Sequence, residues 1–430
     1  MFSLSFLFLT LPLYFSHIFM HFGVVMGDSA SFERQKMYLF VLTVLIALAE
    51  MIFMRYDAFV VQLRKYWVII LGLILLPLVP TLLYGGEIDA YWIRGSYEKF
   101  HGYLLYVGII LLGFCISLMS QSERLKVTKL SMIPVSIVSV IAILEWLSVQ
   151  VFFPPSAGAW GEGVRAISTL GNPNYLAGYL LIMLPLVWYI RMPERYIVWL
   201  LTLGALLATG SYIGIGIGLV YLLYIFLNWI LLFRNITEAT LHLRYQSSVI
   251  LTKEGSAHKK IEQIPRASEW QKSNKIIIIV SFIIIGLLAL IGYFLIPTDK
   301  LLSLSWRFVL MREVFIEMIR FPLSFITGYG PEAILRFFSE SRSLIVDSYF
   351  PRGSLIDSSH NILLDFVFQY GILPLILLGT MTYRSWNTWN PYARASWILG
   401  IVFLMWNPYV VIHLTLLTLT LTLTLHDDRK

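Results

Sequence analysis

Long apolar runs separated by short polar breaks dominate the chain. They fall at 2–25, 37–54, 67–84, 100–119, 131–153, 175–190, 196–209, 211–233, 276–296 and 361–380. A run near 20 residues is what a helix needs to cross a hydrocarbon core of about 30 Å. The last apolar stretch, 395–425, would make a helix of about 46 Å, too long for one crossing. Asn407-Pro408 interrupts it near the middle, which predicts a tight hairpin of two short helices. Residues 414–425 alternate Leu and Thr as a strand would. A lone strand cannot satisfy its backbone in lipid, so helix is expected there too. The pattern predicts an all-α polytopic membrane protein with about twelve transmembrane helices.

Composition agrees with the pattern. Of 430 residues, 58% are apolar and 13% charged, whereas a soluble domain carries about 25% charge. This excludes an ordinary soluble enzyme, a disordered chain and a collagen-like fibre. It also weighs against a membrane β-barrel, whose strands alternate apolar and polar positions. A single cysteine, Cys115, allows neither an intramolecular disulfide nor a paired-cysteine metal site. His17 and His21 are at helical spacing but lack a third ligand, so no metal is expected there.

The net charge of +7 is decided by its distribution. With both termini cytoplasmic, the cytoplasmic segments hold 20 basic residues and the opposite side 12, seven of them in one long loop. The excess therefore sets orientation, and nucleic-acid binding is not expected. No Lys or Arg precedes the first run, which favours a retained helix over a cleaved signal. Asn235-Ile236-Thr237 matches a glycosylation sequon but falls in a cytoplasmic loop and is read as chance.

Four regions result: membrane helices at 1–153, further membrane helices at 154–233, a basic cytoplasmic loop at 234–275, and membrane helices at 276–425. The basic loop carries eight basic and four acidic residues and reads as a partly disordered segment near anionic lipid. Within the last region, 297–360 forms a long extracytoplasmic loop rich in aromatics, arginine and turn residues, expected to be folded and partly helical.

Three external features carry candidate chemistry. In the first, Arg165 precedes Gly171-Asn172-Pro173-Asn174; Asn172 suits a helix N-cap and Pro173 the first helical position. Free amides at such a terminus favour anions, although a capped helix beside a solvated arginine is the plainer reading. In the second, helical projection of 303–321 groups Arg312, Glu313, Glu317 and Arg320 on one polar face. Arg307 falls on the other side, among Leu310, Met311, Val314, Phe315 and Met318. An arginine on an apolar stripe is costly unless an anion or carbonyls meet it; snorkelling to headgroups is the alternative.

The third feature is Asp357-Ser358-Ser359-His360-Asn361, leading into the 361–380 run. Ser359 is expected to cap that helix, placing His360 in its first turn, where the dipole favours neutral imidazole. A neutral histidine can accept a hydroxyl proton, and Asp357 is near enough in sequence to orient it. A structural interfacial histidine is the competing reading. Asp365 lies one turn below Asn361 on the same face. Of two further intramembrane acids, Glu50 reads as interfacial, while Glu145 is deeper, with a structural or functional role equally open.

Together these residues resemble the O-antigen ligase family, which includes O-antigen polymerases and protein O-oligosaccharyltransferases. The resemblance rests on Ser168-Thr169-Leu170-Gly171-Asn172-Pro173-Asn174 with Leu176-Ala177, on Arg307 opening an amphipathic helix, on Gly328-Tyr329-Gly330-Pro331 and on Asp357 to Asn361. It is strongest over 160–375. It implies a multi-pass glycosyltransferase of the bacterial cytoplasmic membrane, moving a glycan from an undecaprenyl-diphosphate carrier to an acceptor hydroxyl on a glycan or glycolipid. Arginines matching Arg165 and Arg307 would hold the diphosphate, and a histidine matching His360 would assist the acceptor. Asn172, Asn174 and Asn361 are further candidates for substrate binding, and no metal or other cofactor is implied. Members often carry Ser-Arg where this chain reads Ser211-Tyr212, so a cationic contact is missing or supplied elsewhere, for example by Arg352. A repeat-unit polymerase is the nearest alternative. A transporter of an amphiphilic substrate is the alternative outside the class, but no convincing internal repeat supports it.

Overall fold

The computed structural model describes residues 2–14, 30–83, 88–95, 102–149, 165–227, 298–340, 343–350, 356, 358–385, 390–407 and 409–423. The basic loop 234–275, the run 276–296, Arg352 and Asp357 lie outside the described residues. Among those described, every regular element is helical. Three helices are long and apolar enough to cross a membrane: Gln35–Met54, Tyr56–Leu83 and Gln121–Trp146. Four shorter apolar helices follow the same pattern: Tyr103–Ser117, Tyr212–Leu227, Pro391–Leu404 and Val411–Thr422. The last two are the expected pair, separated around Asn407. The Leu-Thr alternation is helical because a helix bonds every backbone group within its own segment. Contacts divide the chain into one unit of 1–215 with 303–430 and a second of 216–302. The residues discussed below belong to the first.

Several apolar runs differ from their expected bounds: within 2–25 the described helix is Phe2–Thr10, and the 37–54 run begins at Ala30. The run at 67–84 begins earlier, at Tyr56, because helix continues through Arg64 and Lys65, which are exposed on its surface. The segment before 131, expected as a loop, is the helix Gln121–Leu130. Ser120 and Glu123 close a reciprocal capping box there: the Ser120 amide donates to Glu123 Oε2 at 2.8 Å, and the Glu123 amide to Ser120 Oγ at 3.4 Å. The run at 361–380 is two helices, Ile362–Tyr370 and Ile372–Ser385. Gly371 divides them at φ +75°, and an added Cβ would lie 2.0 Å from the Ile326 carbonyl oxygen. Only glycine meets both demands, so this one position sets the break.

The Pro173–Leu186 helix is buried along nearly its whole length and packs against Pro391–Leu404. The two run antiparallel: Ser396 Oγ donates to the Ile182 carbonyl, and Gly178 lies against Phe403. Gly178 and Gly400 keep the backbones close, since an added Cβ would come within 2.8 Å of Phe403 or of Ile182 and Leu417. Overpacking a site of this kind costs about 1–3 kcal/mol. Arg124, expected as a loop charge, is buried instead. It donates to the carbonyls of Ile116 at 3.2 Å, Met119 at 2.8 Å and Thr422 at 2.6 Å. Helix C-termini leave such carbonyls without intrahelical partners, and one guanidinium serves two helices.

The described residues between 298 and 350 are mostly helical. Thr298–Arg320, Pro322–Thr327, Ala333–Glu340 and Leu344–Tyr349 are helices. Leu310, Val314 and Met318 line up on the first of these and bury against Ile334, Phe338, Val346 and Phe368. That stripe follows the helical period and includes Arg307. The opposite polar face is the ordinary one expected: Arg312 pairs with Glu313 at 2.8 Å and Arg320 with Glu317 at 3.4 Å.

Candidate functional site

Arg307 is 9% exposed, and carbonyl groups meet it. Its Nη1 donates to the Trp406 carbonyl and, at 3.3 Å, to Asn407 Oδ1. Its Nε is buried and has no acceptor among the described residues. A buried guanidinium N–H without a partner is expensive, and it defines a place where an anion would be stabilised. Burial lowers the guanidinium to about 10, so it stays charged at neutral pH. Its Cζ also lies 5.5 Å from the ring centroid of Trp306.

Trp306 connects Arg307 to His360. The Trp306 and His360 rings meet edge to face, with centroids 4.8 Å apart. His360 is not in the first turn of a helix, and Ser359 is not the cap. Asn361 caps Ile362–Tyr370, its Oδ1 accepting from the amides of Leu363 and Leu364 at 3.1 Å each. His360 therefore precedes the cap, at φ +62°, in a left-handed conformation that costs a non-glycine residue about 1–2 kcal/mol. The dipole argument for neutral imidazole loses its basis, because Asn361 already takes the free amides. The His360 amide donates to Ser358 Oγ at 2.9 Å. Ser358 Oγ donates in turn to Asp365 Oδ2 at 2.7 Å, and the Ser359 amide donates to Asp365 Oδ1 at 2.8 Å.

The Gly-Asn-Pro-Asn element is built as its sequence predicts. Asn172 is the N-cap of Pro173–Leu186, with its Oδ1 accepting from the Asn174 amide at 2.8 Å, and Pro173 takes the first position. Asn174 Oδ1 accepts from Ser211 Oγ at 3.1 Å. Arg165 Nε donates to the Thr209 carbonyl at 3.0 Å. No other hydrogen bond of this guanidinium occurs among the described residues. Burial lowers its pKa, and the neighbouring Tyr212 raises it. Tyr212 thus stands beside Arg165. Glu145 Oε2 accepts from the amides of Ile167 at 2.9 Å and Ser168 at 2.8 Å, while its Oε1 is buried with no donor among the described residues. Glu50 likewise accepts from the amides of Phe2 at 2.9 Å and Ser3 at 3.2 Å.

The antiparallel register brings the two arginines to one end of the fold. Ser396 lies at Ile182 and Phe403 at Gly178, so Asn407 is level with the N-terminus of Pro173–Leu186. His413, just beyond, is 2.9 Å by its Nε2 from the Tyr175 carbonyl oxygen. Arg307 is held by Asn407, and Arg165 by Thr209 next to Ser211 and Asn174. A groove of about 560 Å³ adjoins this end, between Thr298–Arg320 and Ile362–Tyr370. Phe308, Met311, Phe315, Leu364 and Val367 give it apolar walls, and Asn361 and Arg312 add polar groups.

Sequence reasoning missed three parts of this site. Asn407 read only as a helix breaker, and Trp306 as one aromatic among many. Lys36, just before an apolar run, is fully buried and donates from Nζ to the Thr169 carbonyl at 3.1 Å. The Trp306-Arg307 pair on an apolar stripe was the one signal available beforehand. No family model, curated protein or solved structure matches the chain.

Proposed function

We propose that the chain is a multi-pass glycosyltransferase of the bacterial cytoplasmic membrane, resembling the O-antigen ligases, with about twelve crossings. It would transfer a glycan from an undecaprenyl-diphosphate carrier to an acceptor hydroxyl at the outer face. One observation carries the reading: Arg307, charged and buried, offers an Nε–H without an acceptor among the described residues, beside Trp306 and His360. A diphosphate leaving group needs fixed positive charge where its own charge develops. Arg165, at the same end of the fold, supplies a second cation. The adjoining apolar groove suits a polyisoprenyl chain.

In this reading His360 takes the acceptor's hydroxyl proton as that oxygen attacks the anomeric carbon. The bond from the anomeric carbon to the diphosphate oxygen breaks, and its electron pair leaves with the diphosphate. Arg307 and Arg165 stabilise that charge, and attack from the opposite face inverts the anomeric centre. The test is a deletion strain. It should accumulate lipid-linked glycan and lose mature surface glycan, and the wild-type gene but not Arg307→Ala should restore both. A strain with no accumulated lipid-linked glycan rules the reading out.

A further inference from the structure

We infer that Asp365 is the positioning residue for His360, a role that rests on the glycosyl-transfer reading above. Asp365 is 1% exposed and sits in the first turn of Ile362–Tyr370. Its carboxylate reaches back over the helix start to the preceding loop. Oδ2 accepts from Ser358 Oγ at 2.7 Å, while Oδ1 accepts from the Ser359 amide at 2.8 Å and from Ser359 Oγ. Ser358 Oγ also receives the His360 amide at 2.9 Å. The carboxylate, one hydroxyl and the histidine backbone therefore form a continuous relay.

The plain alternative is that Asp365 only caps the helix. Asn361 already does so through the Leu363 and Leu364 amides, and the Ser358 and Ser359 groups that donate to Asp365 precede the helix. Those two residues immediately precede His360, which is held at φ +62°. A left-handed histidine persists only where its surroundings fix it. Asp365 fixes it through Ser358 and Ser359 from inside the fold, and the Trp306 ring, 4.8 Å away, meets the imidazole from the other helix. Asp365 sets where the imidazole stands and does not itself touch a substrate.

The experiment measures initial transfer rates for purified protein in proteoliposomes. A lipid extract of a strain lacking this protein supplies donor and acceptor. Misplacing a reacting group by about 1 Å costs roughly 100-fold, so Asp365→Asn should lower the maximal rate by about 10–100-fold. The half-saturating amount of extract should change less than about twofold, because uniform binding is untouched. In a His360→Ala background, Asp365→Asn should cost nothing more, since it acts through that residue. Additive loss in the double variant, or a full rate in Asp365→Asn, overturns the inference. If Asp365→Asn fails to accumulate in membranes, Ser358→Ala carries the test, because it keeps the carboxylate and removes only the link. It should slow transfer with His360 present and have no effect with His360→Ala; any other result overturns the inference. A His360→Ala protein with a wild-type rate would instead overturn the function of His360 itself.

Discussion

The Trp306 ring stands edge-on to that of His360, at 74° with centroids 4.8 Å apart, while the Arg307 guanidinium lies 5.5 Å from the same indole. One aromatic side chain therefore orients both the cation and the imidazole. Cation–π contacts of this kind are worth about 0.5–2 kcal/mol, so Trp306→Leu should weaken donor affinity by up to roughly thirtyfold. Transfer should slow as well, because the edge contact with His360 goes too. Titration of donor lipid and initial rates read the two effects apart. An unchanged value of either removes that contact from the site.

Arg307→Lys keeps the charge but loses the planar fork that grips two phosphate oxygens while still bonding Trp406 and Asn407. A large loss of glycan transfer is expected at normal membrane levels, read by surface-glycan gels beside an immunoblot. Full activity in the lysine variant would mean that any positive charge suffices.

General-base catalysis contributes about 10²–10⁴-fold, and His360→Ala should lower turnover by that order while donor still binds. His360→Gln keeps a hydrogen-bonding side chain that cannot accept the proton, so it should be as slow. The sign of the pH effect is fixed: imidazolium cannot take a proton, so the rate falls as acid protonates His360. A rate flat through acidic pH would count against the base.

Burial lowers Arg307 to about 10, so it stays protonated at neutral pH, and burial also lowers Arg165. A glycan-linked diphosphate is a diester and remains ionised over the same range. Donor binding should therefore be level between about pH 6 and pH 9, and weaken only as pH rises through the Arg307 value. Equilibrium binding of lipid-linked glycan measures this; a step within the range would assign the diphosphate to a different group.

The proposed topology puts 234–275 inside and 297–360 outside. Single cysteines at Ser256 and Ser339, in a Cys115→Ala background, should label oppositely with a membrane-impermeant thiol reagent. Labelling of both from outside would sink the topology.

Helix class and most boundaries were legible because apolar length and proline positions act locally. Asn172-Pro173 announced a helix start, and Asn407-Pro408 a break, since each rests on neighbours in sequence. The Gly371 break was not legible, because it depends on the Ile326 carbonyl brought in from another helix. The same limit hid Lys36 and Asn407, whose partners are 133 and 100 residues away. Arg307 was half legible: its helical face was right, but its carbonyl partners lay in a hinge that no periodicity announces. His360 was found as a residue and misplaced as a conformation, because Asn361 makes as good a cap as Ser359.

Asn172 and Asn361 each use their side-chain oxygen on helix amides. In a mutational screen their alanine variants would score like catalytic knockouts, yet the lesion would be an unwound first turn. Serine or aspartate at either position refills that role, so tolerance of those two replacements separates a scaffold asparagine from one that reads the sugar.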